Sequence, residues 1–169
     1  MCLWLLAALT SATALSAEAQ AASRDNLMEG TVDGEEVRWR VPSDESIRAA
    51  TYTNIVPGVH RITVNAYRDE RNAREGSLAL ELVTRPEEGI RVSEILYFPF
   101  AETHPRFSYT PQFGEIDFET TGLDFGVDTG RLTGQLEAEL FYHQSASTQP
   151  IPHRTSRIEL DFDLELTRD

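Results

Sequence analysis

Apolar and charged residues alternate most regularly near the C-terminus, over residues 157–166. Every second position there is apolar, and each position between is Arg, Glu or Asp. Successive side chains of a β-strand point to opposite faces, so this stretch is predicted to be a half-buried strand with an acidic, solvated side. Residues 132–143 alternate in the same way. If these two strands pair directly, their outer faces form one doubly acidic surface.

Shorter alternating runs occur earlier in the chain, and turn residues separate them. They occupy residues 37–41, 60–66, 78–82, 90–100 and 116–118. Asp33-Gly34 predicts a hairpin turn, residues 67–76 a charged loop, and residues 121–132 a glycine-rich link. No long helical pattern intervenes. The pattern predicts an all-β chain, a single antiparallel β-sandwich domain of eight to ten strands over residues 22–169. A closed antiparallel β-barrel is the alternative.

Residues 1–21 have a different character. An apolar run ends in Ala17-Glu18-Ala19-Gln20-Ala21, which contains two overlapping A-x-A cleavage sites. The run is shorter than the roughly 20 residues of a membrane-spanning helix. We therefore predict a signal peptide over residues 1–21, no stable membrane span, and a periplasmic or secreted mature protein. The single cysteine, Cys2, lies inside this segment, so disulfides, thiolate metal sites and a cysteine nucleophile are excluded from the mature chain.

The charge balance excludes further partners. The chain has 28 Asp and Glu against 15 basic residues, all of them Arg, for a formal charge of −13. So negative a protein is not expected to bind nucleic acid or an anionic membrane surface. The four histidines show no metal-binding spacing, and neither a G-x-S-x-G motif nor a glycine-rich phosphate loop is present. The chain is therefore predicted not to be an enzyme and to need no cofactor.

The first candidate site is the aromatic, proline-rich stretch 97–113, where Pro99, Pro105 and Pro111 stiffen the backbone. Exposed aromatic side chains on such a stretch would hold a partner or a ligand, whereas aromatics folded inwards would close one end of the core. The candidate binding residues are Tyr97, Phe98, Phe100, His104, Arg106, Phe107, Tyr109 and Phe113.

Two similar cationic triplets form the second candidate, at residues 104–106 and 152–154. Together they would suit a carboxylate or phosphate, because Arg presents a planar fork of donors. If residues 106–110 form a strand that crosses the whole sheet, the triplets lie at opposite ends of the domain. If that crossing is absent, they lie at the same end.

Asp124 and Asp128 form a weaker, third candidate, for calcium, because two carboxylates and nearby carbonyls are oxygen ligands. Taken together, these features predict a non-catalytic exported β-sandwich that binds an unknown protein or small molecule through residues 97–113. The alternatives are a small-ligand carrier with an internal apolar pocket and a calcium-stabilised structural module.

Overall fold

The computed structural model describes residues 26–44, 47–69, 71, 73–109, 112 and 114–169. The predicted signal peptide and Phe113 lie outside these described residues. The strands are β1 Asn26–Val32, β2 Glu35–Val41, β3 Ser43–Asp44, β4 Ile47–Arg48, β5 Ala50–Val56, β6 Val59–Ala66, β7 Ser77–Arg85, β8 Gly89–Phe98, β9 Arg106–Tyr109, β10 Ile116–Phe125, β11 Thr129–His143 and β12 Ile151–Arg168. The predicted all-β class is confirmed. The described chain contains no helix that is long and apolar enough to cross a membrane.

Ten strands form one mixed sheet with two halves, and β3 and β4 form a separate two-residue pair. One half has the order β2-β1-β12-β11-β10, and the other has the order β5-β6-β7-β8-β9. The C-terminal end of β11 pairs with β9, and the C-terminal end of β12 pairs with β5 in parallel over two residues. This arrangement fits the predicted β-sandwich-like class.

The interior is lined by the residues that alternation predicts. The apolar positions of β2, β6, β7, β11 and β12 are buried in one hydrophobic cluster, which contains the fully buried Trp39, Ile62, Leu80, Leu132 and Leu164. Trp39 also satisfies its buried indole N–H, which donates to the carbonyl oxygen of Gly76 at 2.8 Å.

The Asp33-Gly34 hairpin is confirmed, with a two-residue loop that joins Val32 to Glu35. Both loop residues have positive φ, 53° and 83°, which is the backbone form that matches the twist of two paired strands. The Asp33 carboxylate accepts hydrogen bonds from the hydroxyl of Ser156 and the backbone N–H of Arg157, at 3.0 and 2.8 Å. The turn is therefore tied to β12.

The predicted glycine-rich link over residues 121–132 is wrong. β10 continues to Phe125 and β11 begins at Thr129, so only three residues connect them. A bulge between Thr120 and Gly122 shifts the register, and the pairing then continues. Gly130 suits a strand here because a Cβ at that position would lie 2.6 Å from the carbonyl oxygen of Asp124.

Candidate functional site

The aromatic stretch divides between core and surface. Tyr97, Phe98 and Tyr109 are buried, with exposures of 8%, 7% and 6%. Phe107 is half-buried, and Phe100 is 48% exposed. Burial also raises the pKa of the Tyr97 phenol, an effect that the nearby Arg68 partly offsets. Of the candidate aromatic residues with a described position, Phe100 therefore offers the most surface to a partner.

The inward aromatics stack in a row beneath this end of the sandwich. The Phe107 ring lies 6.4 Å from that of Tyr97 and makes an edge-to-face contact with Tyr142 at 5.4 Å. The row forms because Phe107 pairs with Tyr97 on β8 and with Tyr142 on β11, and directly opposed residues share a face. The Arg154 guanidinium lies over the Tyr142 ring, 3.6 Å from its centroid, and completes the stack as a cation–π contact.

The two cationic triplets lie at the same end of the domain. Residues 106–109 do form a strand, but β9 pairs with residues 141–143 of β11 and β10 pairs with residues 130–138. These pairings place β9 and β10 end to end along one edge of β11. Together, the two strands therefore cross the sheet only once. Arg106 consequently lies opposite His143, and Arg154 lies against the neighbouring Tyr142.

We call His104, Arg106, His143 and Arg154 the basic end. The Nε of Arg106 and the Nε2 of His104 are inaccessible to solvent and have no hydrogen-bond partner among the described residues. Burial lowers the pKa of His104, and the nearby Arg106 and His143 lower it further. The His143 ring contacts the carbonyl oxygen of Thr148 through Nδ1 at 3.3 Å. His153 is exposed beside Arg154.

About half of the arginines are paired with carboxylates. Ion pairs with Asp or Glu hold Arg38, Arg61, Arg71, Arg85, Arg91, Arg131 and Arg157. Within the described residues, no such ion pair is found for Arg48, Arg68, Arg74, Arg106, Arg154 or Arg168. Arg74 and Arg154 lie over aromatic rings instead. The basic end therefore has Arg106 and His143 on one face of β9 and β11, and Arg154 on the opposite face, over Tyr142.

The outer face of β1, β12, β11 and β10 carries the opposite charge. The predicted direct pairing of β11 with β12 is confirmed over residues 129–142. An open groove of about 1370 Å³ follows this face, and its lining includes Glu29, Asp124, Arg131, Asp161, Asp163 and Glu165. A smaller groove of about 240 Å³ lies among Asp117, Glu119, Glu137 and Glu159.

Arginines neutralise only part of this acidic face. Arg131 donates two hydrogen bonds to Asp163, at 2.7 and 2.5 Å, and this contact raises the pKa of Arg131. Arg157 pairs with Glu137 on the neighbouring strand and with Glu159 on its own. The face therefore attracts cations in general, through a field that salt screens.

The candidate calcium ligands lie at the far end of β11 from the basic end. Asp124 is exposed and lies opposite Arg131 in the sheet, and Asp128 is exposed in the turn between β10 and β11. No group of three or more His, Cys, Asp or Glu suited to a metal ion occurs in the part of the chain that the structure describes. The structure therefore shows two exposed carboxylates at this position, and Asp124 lies opposite Arg131.

His143 and Tyr142 belong to this site, but the sequence reasoning did not select them. Both residues lie at the end of the alternating run of β11, where the sequence pattern indicates only the end of a strand. They would have been identified if both cationic triplets had been placed near the same end of β11. That placement depends on the position of β9 in the sheet. No protein-family model, curated protein or solved structure significantly matches this chain.

Proposed function

We propose that this chain is an exported, non-catalytic binding protein whose recognition surface is the basic end together with Phe100. The observation that carries the proposal is the 48% exposure of Phe100 in the loop between β8 and β9, which also holds His104 and leads directly into Arg106. The Arg106 guanidinium has no ion pair with a carboxylate among the described residues. Aromatic side chains and arginine are the residue types enriched at the energetically important positions of binding surfaces.

The buried aromatics support this surface instead of contacting the partner. Tyr97 and Tyr109 anchor β8 and β9 in the core, Phe98 is buried beneath the Arg74 guanidinium, and the Phe107–Tyr142 contact supports the Arg154 guanidinium. A recognition surface held by a packed row of rings loses little conformational freedom on binding. We therefore assign contact roles to Phe100, His104 and Arg106, and supporting roles to the others.

Site-specific photocrosslinking in the native cell envelope tests the proposal. A benzophenone amino acid replaces Phe100 in one variant and Val127 in a matched control. Val127 is 75% exposed and apolar, but it lies in the turn at the other end of β11. We expect a discrete adduct from position 100 that is missing from position 127. Equal adducts from both positions, or an adduct from position 127 alone, would contradict the proposal.

Export is part of the same proposal, and the leader motif supports it. Cell fractionation followed by mass spectrometry of the mature N-terminus should find the protein outside the cytoplasm and cleaved after Ala19 or Ala21. Recovery of an uncleaved cytoplasmic chain would refute the export element and leave the binding surface to be judged by the crosslinks.

A further inference from the structure

The described part of the chain places no strand beside the outer edge of β10. This strand, Ile116–Phe125, pairs with β11 on one side and stands last in the strand order of its half. We infer that its open edge is a strand-addition site for an extended peptide segment of a partner protein, in which apolar residues alternate with Arg or Lys. The segment pairs with residues 116–123. The basic end is a separate surface, at residues 141–143 of β11.

The backbone of β10 leaves hydrogen-bonding groups free along this edge. The N–H of Glu139 donates to the carbonyl oxygen of Glu115 at 3.2 Å, so these two residues form a hydrogen-bonded pair beside the start of the ladder. Hydrogen-bonded and non-hydrogen-bonded pairs alternate in an antiparallel ladder, and Asp117 and Glu119 therefore direct their backbone groups to β11. The residues whose backbone groups point to the open edge are Ile116, Phe118 and Thr120. Such a row of N–H and C=O groups is a template for another strand.

The inward side chains of β10 are covered on one side only. Ile116 and Phe118 are half-buried, although Ala138 and Leu136, the residues opposite them on β11, are each 2% exposed. The Phe118 ring stacks on that of Phe162 with 6.3 Å between centroids, yet part of its surface stays in solvent. Directly opposed residues of an antiparallel pair share a face. An added strand would therefore place its apolar side chains beside Ile116 and Phe118 and remove more of their apolar surface from water.

The outer face of β10 selects the charge of the partner segment. Asp117 and Glu119 are exposed, and no ion pair is found for either of them within the described residues. They line the smaller groove together with Glu137 and Glu159, whose ion-pair partner is Arg157. Residues of an added strand opposite Asp117 and Glu119 would project on this same face. Arg or Lys there gains cross-strand attraction, whereas Asp or Glu is repelled.

The same carboxylates disfavour a second copy of this chain at the edge. Antiparallel pairing of two β10 strands around Phe118 would bring Asp117 of each copy opposite Glu119 of the other, and like charges directly opposite are destabilising. Each copy also carries a formal charge of −13. Charge complementarity therefore favours a cationic segment as the occupant.

Binding of designed peptides to the purified protein tests the inference. The probe is a capped peptide in which valine and arginine alternate over about eight residues, the strand length that matches residues 116–123, and glutamate replaces every arginine in its control. NMR titration should show saturable binding of the arginine peptide and none of the glutamate peptide. The backbone N–H groups of Ile116 and Phe118 should become protected from hydrogen exchange in the complex. Equal binding of both peptides, or failure of the arginine peptide to bind, would overturn the inference.

Backbone-methylated peptides separate strand addition from general attraction to the acidic face. N-methylation of the valines removes the donors that an antiparallel strand directs to β10, whereas N-methylation of the arginines leaves those donors in place. Both peptides keep the full positive charge. We expect methylated valines to weaken binding about tenfold or more, and methylated arginines to change it by less than about twofold. Any other order of affinities would overturn antiparallel addition at this edge.

Charge-matched variants locate the site on the protein. Asp117→Asn combined with Glu119→Gln should weaken binding of the arginine peptide roughly threefold to tenfold, because two exposed cross-strand ion pairs are lost. Glu35→Gln combined with Glu36→Gln removes the same charge from the start of β2, beyond β11, β12 and β1. Neighbouring strands lie about 4.8 Å apart, so this distance exceeds the screening length of about 8 Å, and binding should be unchanged. Equal weakening by both double variants would refute the site.

The oligomeric state of the free protein identifies the occupant. Sedimentation velocity should find a monomer, as expected if the edge awaits a different chain. A dimer that the arginine peptide dissociates would mean that a second copy occupies the edge, and would overturn the assignment. The segment ends before the turn that holds Val127, so this inference and the crosslinking at position 100 are tested independently.

Discussion

Replacing one aromatic residue of the 97–109 region from the core and one from the surface separates structural from recognition roles. Tyr97 is 8% exposed and Phe100 is 48% exposed, although they are only three positions apart. An aromatic side chain buries about 150–250 Å². At about 25 cal/mol per Å², this burial bounds the loss of the Tyr97 ring at about 4–6 kcal/mol. Allowing for burial already present in the unfolded chain leaves about 3–4 kcal/mol, within the range of measured aromatic-to-alanine substitutions.

For Phe100, about half of the ring surface is already in water, so Phe100→Ala should cost about 1.5–2 kcal/mol. In a domain of roughly 150 residues, each kcal/mol lowers the melting temperature by about 2–4 °C. We therefore expect Tyr97→Ala to melt about 10 °C below the wild type, and Phe100→Ala about 5 °C below it. Tyr97→Phe, which keeps the ring, should lose no more than about 1.5 kcal/mol.

The assay is thermal and urea unfolding followed by circular dichroism, with crosslinking of the same samples at a temperature where each is folded. Tyr97→Ala should lose stability while its folded fraction still binds, and Phe100→Ala should lose crosslinking to the partner while it stays folded. If Tyr97→Ala melts no lower than Phe100→Ala, then Tyr97 is not a core residue and the division of this stretch is wrong.

Three further predictions concern other parts of the fold. In Gly30→Ala the new Cβ would overlap the carbonyl oxygen of Glu159 on β12, so we expect a loss of at least about 3 kcal/mol in urea unfolding; Gly122→Ala, whose Cβ meets only a side-chain hydroxyl, should lose no more than about 1 kcal/mol, and equal losses would contradict the pairing. Asp161→Asn relieves repulsion from the neighbouring carboxylates and should stabilise the protein by about 0.5 kcal/mol at low salt, a gain that 1 M NaCl removes; a gain that persists in high salt would exclude charge repulsion as its cause. The pKa of His104 is lower in the folded than in the unfolded chain, so the unfolded chain binds its proton more tightly and stability declines as the pH falls through about 6.5; His104→Gln should remove that part of the decline, and an unchanged pH profile would refute it.

The sequence was sufficient where a local pattern decides the structure. Alternation identified the inward faces of β2, β6, β7, β11 and β12, because a strand directs every second side chain to the same side. It also predicted the acidic outer face of the β11–β12 pair. The alternation pattern was not sufficient over residues 121–132, where the glycines led to the wrong prediction of a link between two strands. A bulge and close backbone packing let this stretch continue the ladder, and neither is visible without the partner strand.

The candidate site depended on the tertiary structure to a greater extent. Aromatic composition selected residues 97–109 but could not divide them, because only the structure shows that Tyr97 lies within β8, opposite Leu78, whereas Phe100 lies in the loop after β8. The two cationic triplets lie at the same end of the domain because β9 and β10 pair with the same edge of β11.

The chain's own chemistry thus determined an all-β fold, a negatively charged exterior, and the absence of cysteine chemistry beyond Cys2. These properties follow from residue type and spacing, which act over a few neighbours along the chain. Only the tertiary structure brought Arg106 to His143 and Arg154 to Tyr142, contacts between residues that are 12–37 positions apart in sequence. Contacts of this kind depend on strand order and register, which are properties of the whole sheet and not of any one strand.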